Sequence, residues 1–134
     1  MILITGAAGF IGINTVLALN KKGIKDLIIV DHFDIKEKNK KLKLFQYHKS
    51  LSVGDCESLL DKNSNINIEL VIHLGAITDT TYKDSQLLDK LNVNFSQKIW
   101  KYCTKNNIKL IYASSAATYG IGDQGFNDDE TKIN

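Results

Sequence analysis

Met1-Ile2-Leu3-Ile4-Thr5-Gly6-Ala7-Ala8-Gly9-Phe10-Ile11-Gly12 opens the chain, and its reading decides the fold. A short apolar run halted by a glycine is the pattern of a strand buried on both faces. Ile13, Val16, Leu17 and Leu19 then recur at helical spacing as far as Lys21-Lys22-Gly23. Lysines in a last turn with a glycine behind them end helices. Leu27-Ile28-Ile29-Val30 is a second apolar strand, closed by Asp31. Residues 1–31 therefore read strand, glycine loop, helix, strand, the spacing of one βαβ unit.

In that context Gly6-x-x-Gly9-x-x-Gly12 carries a meaning that the bare pattern lacks. The first glycine permits a tight turn, the second lets backbone approach a pyrophosphate, and the third lets helix and strand pack closely. Free N–H groups and the dipole at the helix start then meet the phosphate charge. Asp31 lies 19 residues beyond Gly12. A carboxylate there accepts hydrogen bonds from an adenosine ribose, which suggests NAD. His32, Lys36 and Lys38 could instead neutralise a 2′-phosphate, which suggests NADP. Both cofactors stay open at this point, and the other lysines up to Lys49 read as a solvated face.

Further out, residues 35–50 read as a lysine-rich loop with room for a short helix. Residues 51–53 read as a weak third strand. Asp55 is expected to cap a short helix over residues 56–60, and residues 63–67 form an Asn-rich turn. Leu70-Val71-Ile72-His73-Leu74 is a fourth strand, stopped by Gly75-Ala76, where backbone can lie against a cofactor. His73 itself reads as a satisfied core histidine rather than a catalyst. Residues 84–107 form the longest helical candidate, with Leu87, Leu88, Leu91, Phe95, Ile99 and Tyr102 near one face. Residues 108–112 make a fifth strand. After Ser114-Ser115 the chain turns polar and rich in glycine. The alternation predicts an α/β fold: a Rossmann-like, doubly wound parallel sheet, truncated after about five strands, in one domain over residues 1–134.

Composition narrows the function classes. The 134 residues are 43% hydrophobic and 24% charged, an ordinary globular balance that argues against disorder and coiled coil. No apolar run reaches a membrane span of roughly 18 residues. The short uncharged start does not resemble a signal peptide. All 17 basic residues are lysines and the net charge is only +2, a poor match to nucleic-acid binding. Cys56 and Cys103 are too far apart for a zinc pattern and too few for a disulfide framework, so a reducing, cytoplasmic setting is expected. No metal site is expected. The absence of proline, with abundant Lys, Asn and Ile, reads as biased base composition.

Four segments in order carry a family resemblance. They are the glycine loop of residues 6–12, the strand end at Asp31, His73-Leu74-Gly75-Ala76, and Tyr112-Ala113-Ser114-Ser115-Ala116-Ala117-Thr118-Tyr119-Gly120. Together they resemble the extended short-chain dehydrogenase/reductase family of nucleotide-sugar epimerases and dehydratases. Residues 73–81, residues 112–120, and Gly125-Phe126 with the acidic Asp128-Asp129-Glu130 point to its heptose-epimerase branch. A hexose 4-epimerase or a hexose dehydratase is the second choice. The resemblance covers only the N-terminal part of such a protein. It implies Gly6, Gly9, Phe10, Ile11 and Gly12 at the pyrophosphate, and Asp31, His32 and Lys38 at the adenosine ribose, with NADP the usual cofactor of that branch. It also implies Leu74, Gly75, Ala76, Ile77 and Thr78 along the cofactor, Asn92 near it, and Ser115 as the catalytic hydroxyl beside the reacting sugar. The implied chemistry is transient oxidation of a nucleotide sugar and its reduction from the other face.

One departure matters. The family's proton-transferring Tyr-x-x-x-Lys pair shares a helix face. Here Tyr47, Tyr82, Tyr102, Tyr112 and Tyr119 are followed at the fourth position by Leu51, Gln86, Asn106, Ala116 and Asp123. The chain alone is therefore expected to be inactive. A second polypeptide that supplies the missing part is one expected partner. A non-catalytic NAD(P)-binding module and the remnant of a disrupted gene are the alternatives. The strand at 108–112 is expected to be an open edge, and the helix stripe at 84–107 to lack neighbours, with marginal stability or aggregation as the result.

Overall fold

Apolar residues that alternate along short strands have two faces to bury, and the sheet here is covered on both. The computed structural model describes residues 1–62, 66–122, 125–127, 129 and 131. Its strands are β1 (Ile2–Thr5), β2 (Leu27–Val30), β3 (Lys49–Leu51), β4 (Leu70–His73) and β5 (Lys109–Tyr112). All pair in parallel, in the spatial order β3-β2-β1-β4-β5. On one side Leu3, Ile28, Val30 and Val71 pack against α3 (Val53–Asp61) and α5 (Phe95–Lys105), through Cys56, Leu59, Leu60, Phe95, Ile99 and Cys103. On the other side Ile4, Leu27, Ile29 and Ile72 pack against Val16 of α1 (Phe10–Lys21) and against Phe45. This is the doubly wound arrangement expected from the strand and helix alternation.

Three local expectations are corrected. The third strand lies two residues earlier than expected, because Lys49–Leu51 is the stretch that pairs with Ile28, Ile29 and Val30. The helix after it starts at Val53, and its cap is Ser52 rather than Asp55. The Ser52 Oγ accepts the Asp55 amide at 3.1 Å as an N-cap and donates its own proton to the Asp55 carboxylate at 2.7 Å. The long helix is not uniform. Its Asp84-capped first turn, α4 (Ser85–Leu88), widens into a π-helical turn over Asp89–Asn94 before α5 begins. The apolar stripe survives the change, with Phe95 and Ile99 buried and Leu87, Leu88, Leu91 and Tyr102 half-buried.

Residues 36–41 form the short helix α2 (Lys36–Lys41), which buries none of its side chains. Polar bonds hold it down instead, among them Asn39 Nδ2 to the Phe33 carbonyl at 3.1 Å. Cys56 and Cys103 are unpaired and buried, and burial pushes the Cys56 thiol up to about 12, an unreactive state. The strand β5 ends the sheet, with Ile111 55% and Tyr112 48% exposed. No helix among the described residues is long and apolar enough to cross a membrane. Residues 63–65 of the expected Asn-rich turn, and Asp128 and Glu130, lie outside the described residues.

Candidate functional site: a cleft at the glycine loop

The connections leaving β1 and β4 diverge to opposite sides of the sheet, and a crevice opens between them at the strands' carboxyl ends. Gly6 and Gly75 face each other across its floor. A Cβ on Gly6 would sit 2.8 Å from the Gly75 Cα, and Gly6 has φ +67°, so a side chain is refused twice. A Cβ on Gly12 would lie 2.1 Å from the Gly6 carbonyl oxygen, so the start of α1 can press against the loop only as glycine. The Gly9 amide donates to the Gly6 carbonyl at 3.0 Å and closes the turn. Gly9 then caps α1 without a side-chain bond. The amides of residues 10–12 precede the first intrahelical bond, from the Ile13 amide to the Gly9 carbonyl, and remain available to an anion.

The cleft has a volume of about 510 Å³. Its walls bring together the expected Gly6, Gly9, Phe10, Ile11, Gly12, Asp31, His32, Lys38, Leu74, Gly75, Ala76, Ile77 and Thr78. Thr5, Val30, Val53, Leu91 and Phe95 also line it. These five carry no local signal of a site, because each reads as an ordinary core or strand residue until the strand order is known.

Asp31 and Lys38 argued for different cofactors, yet they form one ion pair, with Lys38 Nζ 2.5 Å from Asp31 Oδ1. The same carboxylate accepts the His32 amide on Oδ1 and the Ala8 amide on Oδ2, both at 2.8 Å. Asp31 is thus buried and ties the glycine loop to the end of β2, with most of its acceptor capacity in use. Lys41, assigned to the solvated face, donates to the Ala8 carbonyl at 2.7 Å. The lysine-rich stretch therefore straps the glycine loop, directly through Lys41 and through Asp31 by Lys38, a correction to the reading of Lys41 as a solvent residue.

Asn92 does not line the cleft. From the π-helical turn its Oδ1 accepts the Ile77 amide at 2.8 Å, and its Nδ2 donates to the Ile77 carbonyl at 2.9 Å. It grips the backbone of the loop after β4 from behind. Ser115 also lies outside the cleft lining, exposed beyond the carboxyl end of β5. Its Oγ accepts the Ala117 amide at 3.2 Å and caps a 3₁₀ turn over Ala116–Tyr119, which leaves its proton free to donate. His73 is buried, as a core residue should be, and burial alone pushes its pKa down to about 4. Among the described residues no group of His, Cys, Asp or Glu side chains could hold a metal.

Residues 2–134 match the model of the NAD dependent epimerase/dehydratase family. The chain belongs to that family. It is 43% identical over 130 residues to the ADP-L-glycero-D-manno-heptose-6-epimerase of Fusobacterium nucleatum, covering 96% of this chain and 39% of that protein. It is 37% identical over 132 residues to the enzyme of the same name from Brachyspira hyodysenteriae, covering 97% of this chain and 42% of that one. The chain thus spans about two fifths of the length of these relatives and corresponds to their N-terminal part. Among solved structures, the ADP-L-glycero-D-manno-heptose-6-epimerase of Helicobacter pylori shares the fold with a TM-score of 0.74 at 24% identity, over 98% of this chain and 44% of that one. UDP-glucuronic acid 4-epimerase from Bacillus cereus, solved as a variant with NAD and a UDP-sugar analogue, gives a TM-score of 0.72 at 28% identity, over 96% of this chain and 44% of that one. The family description is NAD dependent, and the Bacillus cereus enzyme was solved with NAD bound.

Proposed function

We propose that residues 1–134 are the N-terminal, dinucleotide-binding part of an ADP-heptose 6-epimerase. The single observation that carries this reading is the meeting of the glycine loop, the Asp31–Lys38 pair and the Gly75 loop in one cleft at the strand-order reversal. The residues fit the cofactor. Uncapped amides at the start of α1 receive a pyrophosphate, and Gly6, Gly12 and Gly75 keep Cβ atoms out of its way. Asp31 and Lys38 meet the adenosine ribose, with Lys38 able to turn from its carboxylate partner to a 2′-phosphate. The backbone of residues 74–78, held at Ile77 by Asn92, would form the wall along the nicotinamide half. When bound, the dinucleotide supplies a reversible hydride acceptor. Ser115, whose O–H is unused, would donate a hydrogen bond to the oxygen of the reacting sugar hydroxyl as that oxygen loses its own proton to the base. The Tyr-x-x-x-Lys base lies outside these 134 residues, in a second polypeptide or a further segment.

The test is titration of the chain with NADPH and NADH, followed by nucleotide fluorescence, beside a turnover assay on the ADP-heptose. Saturable binding of either nucleotide with no epimerisation is expected. Absence of saturable binding up to about 1 mM, a range that weak but specific sites reach, would overturn the binding role. Epimerisation by the chain alone would overturn the assignment of the base to another segment.

A further inference from the structure

His73 makes four ordered contacts, two of them hydrogen bonds that a merely space-filling core residue would not need. Its Nδ1 lies 2.6 Å from Thr5 Oγ1 and its Nε2 lies 2.8 Å from Ser96 Oγ. Its ring stacks on Tyr112, with centroids 5.5 Å apart and planes at 18°, and Phe95 meets it edge-on. The Thr5 hydroxyl in turn accepts the Gly75 amide at 3.0 Å. Three elements, β1, β4 and α5, are joined through this one imidazole, and the chain of bonds ends on the backbone of the cleft floor.

The proton positions follow from the donor inventory. Thr5 Oγ1 has one proton and already accepts the Gly75 N–H. Among the described residues the only acceptor bonded to that hydroxyl is Nδ1 of His73. Thr5 is buried, so its proton needs a protein acceptor, and His73 Nδ1 at 2.6 Å fills that need; this direction leaves Nδ1 unprotonated. The neutral ring carries its proton on Nε2 and donates it to Ser96 Oγ. Burial favours this neutral ring at ordinary pH.

We infer that His73 is a positioning residue for dinucleotide binding: held between Thr5 and Ser96, its Nδ1 takes the Thr5 proton and so orients the Thr5 hydroxyl, which fixes the Gly75 amide and the loop of residues 74–78. The inference rests on the proposed cofactor site and adds to it the device that holds one wall in place. Asn92 grips Ile77 from the helix side, while the Thr5–His73–Ser96 chain grips Gly75 from the sheet side.

Two measurements need no nucleotide. Imidazole nitrogen shifts of the 134-residue chain, assigned with His48→Gln and His32→Gln samples, should show His73 with Nδ1 unprotonated and Nε2 protonated. The opposite tautomer would overturn the inference. Hydrogen exchange at the Gly75 amide should quicken about tenfold in Thr5→Val, the loss of roughly one buried hydrogen bond, and stay near the parent rate in Thr5→Ser. Unchanged exchange in Thr5→Val would also overturn it. NADPH titration then reads the consequence: affinity about tenfold weaker in Thr5→Val and in Ser96→Ala, restored by Thr5→Ser. If the parent chain binds no nucleotide, the cofactor reading fails, while the tautomer and the Gly75 exchange still decide the positioning device.

Discussion

Gly12, Lys38 and His73 each answer a different question about the cleft. Gly12 is a packing requirement. Gly12→Ala places a methyl group within 2.1 Å of the Gly6 oxygen, so loop and helix must separate. Overpacking of this kind costs about 1–3 kcal/mol, which urea unfolding should show together with loss of NADPH binding. Lys38 is an electrostatic choice. Lys38→Ala should weaken NADPH about tenfold more than NADH, the worth of one charge-assisted contact to a 2′-phosphate, in paired titrations at fixed salt. His73 sets a pH dependence. Burial holds its folded pKa at about 4, below the ordinary histidine value of 6.5, so the unfolded chain binds the proton more readily. The stability tied to the neutral ring is complete above pH 6.5 and is lost as pH falls toward 4. The full effect is about 3 kcal/mol. Urea midpoints between pH 7 and 4.5 should fall less steeply in His73→Gln than in the parent.

At the scale of elements, the helix between β4 and β5 shows how sequence and structure divide the information. Its apolar stripe was legible because packing against a sheet imposes period 3.6 on any sequence; four strands were legible as apolar runs, whereas β3, Lys49-Ser50-Leu51, carries no such run and its expected position falls two residues late. The π-helical turn over Asp89–Asn94 was not, since it arises from the demand that Asn92 reach Ile77 while Phe95 and Ile99 face the core. That demand is tertiary and leaves no local mark. The cap at Ser52 was legible in principle, as Ser-x-x-Asp ahead of an apolar stretch, but Asp55 offered an equally good local signal. The glycine loop and its acidic partner were readable because backbone geometry restricts the residue type. Lys41 and Thr5 were not, because their roles depend on which strand lies beside which. Asn92→Ala should free the Ile77 backbone from both of its bonds. Exchange of the Ile77 amide should rise at least tenfold, the loss of a buried hydrogen bond, with little change at Gly75.

Across the whole molecule, the sheet is well covered in its centre and thin at β5. Trp100 on α5 is 60% exposed and Ile111 on β5 is 55% exposed, on opposite sides of the same strand. An apolar edge strand of this kind is a template for pairing with another chain. Sedimentation should therefore show association that rises with protein concentration, and Ile111→Lys should reduce it by placing a charge on the open edge. Handedness gives these two exposed sides unequal futures. The passages from β1 to β2 and from β4 to β5 run in opposite directions across the sheet and carry their helices on opposite faces, as right-handed crossovers must. A strand added beyond β5 by the same rule would bring its helix down beside α5, over Trp100 and Tyr112. The Ile111 side would receive nothing from such an addition. Whatever shields it has to arrive by another route.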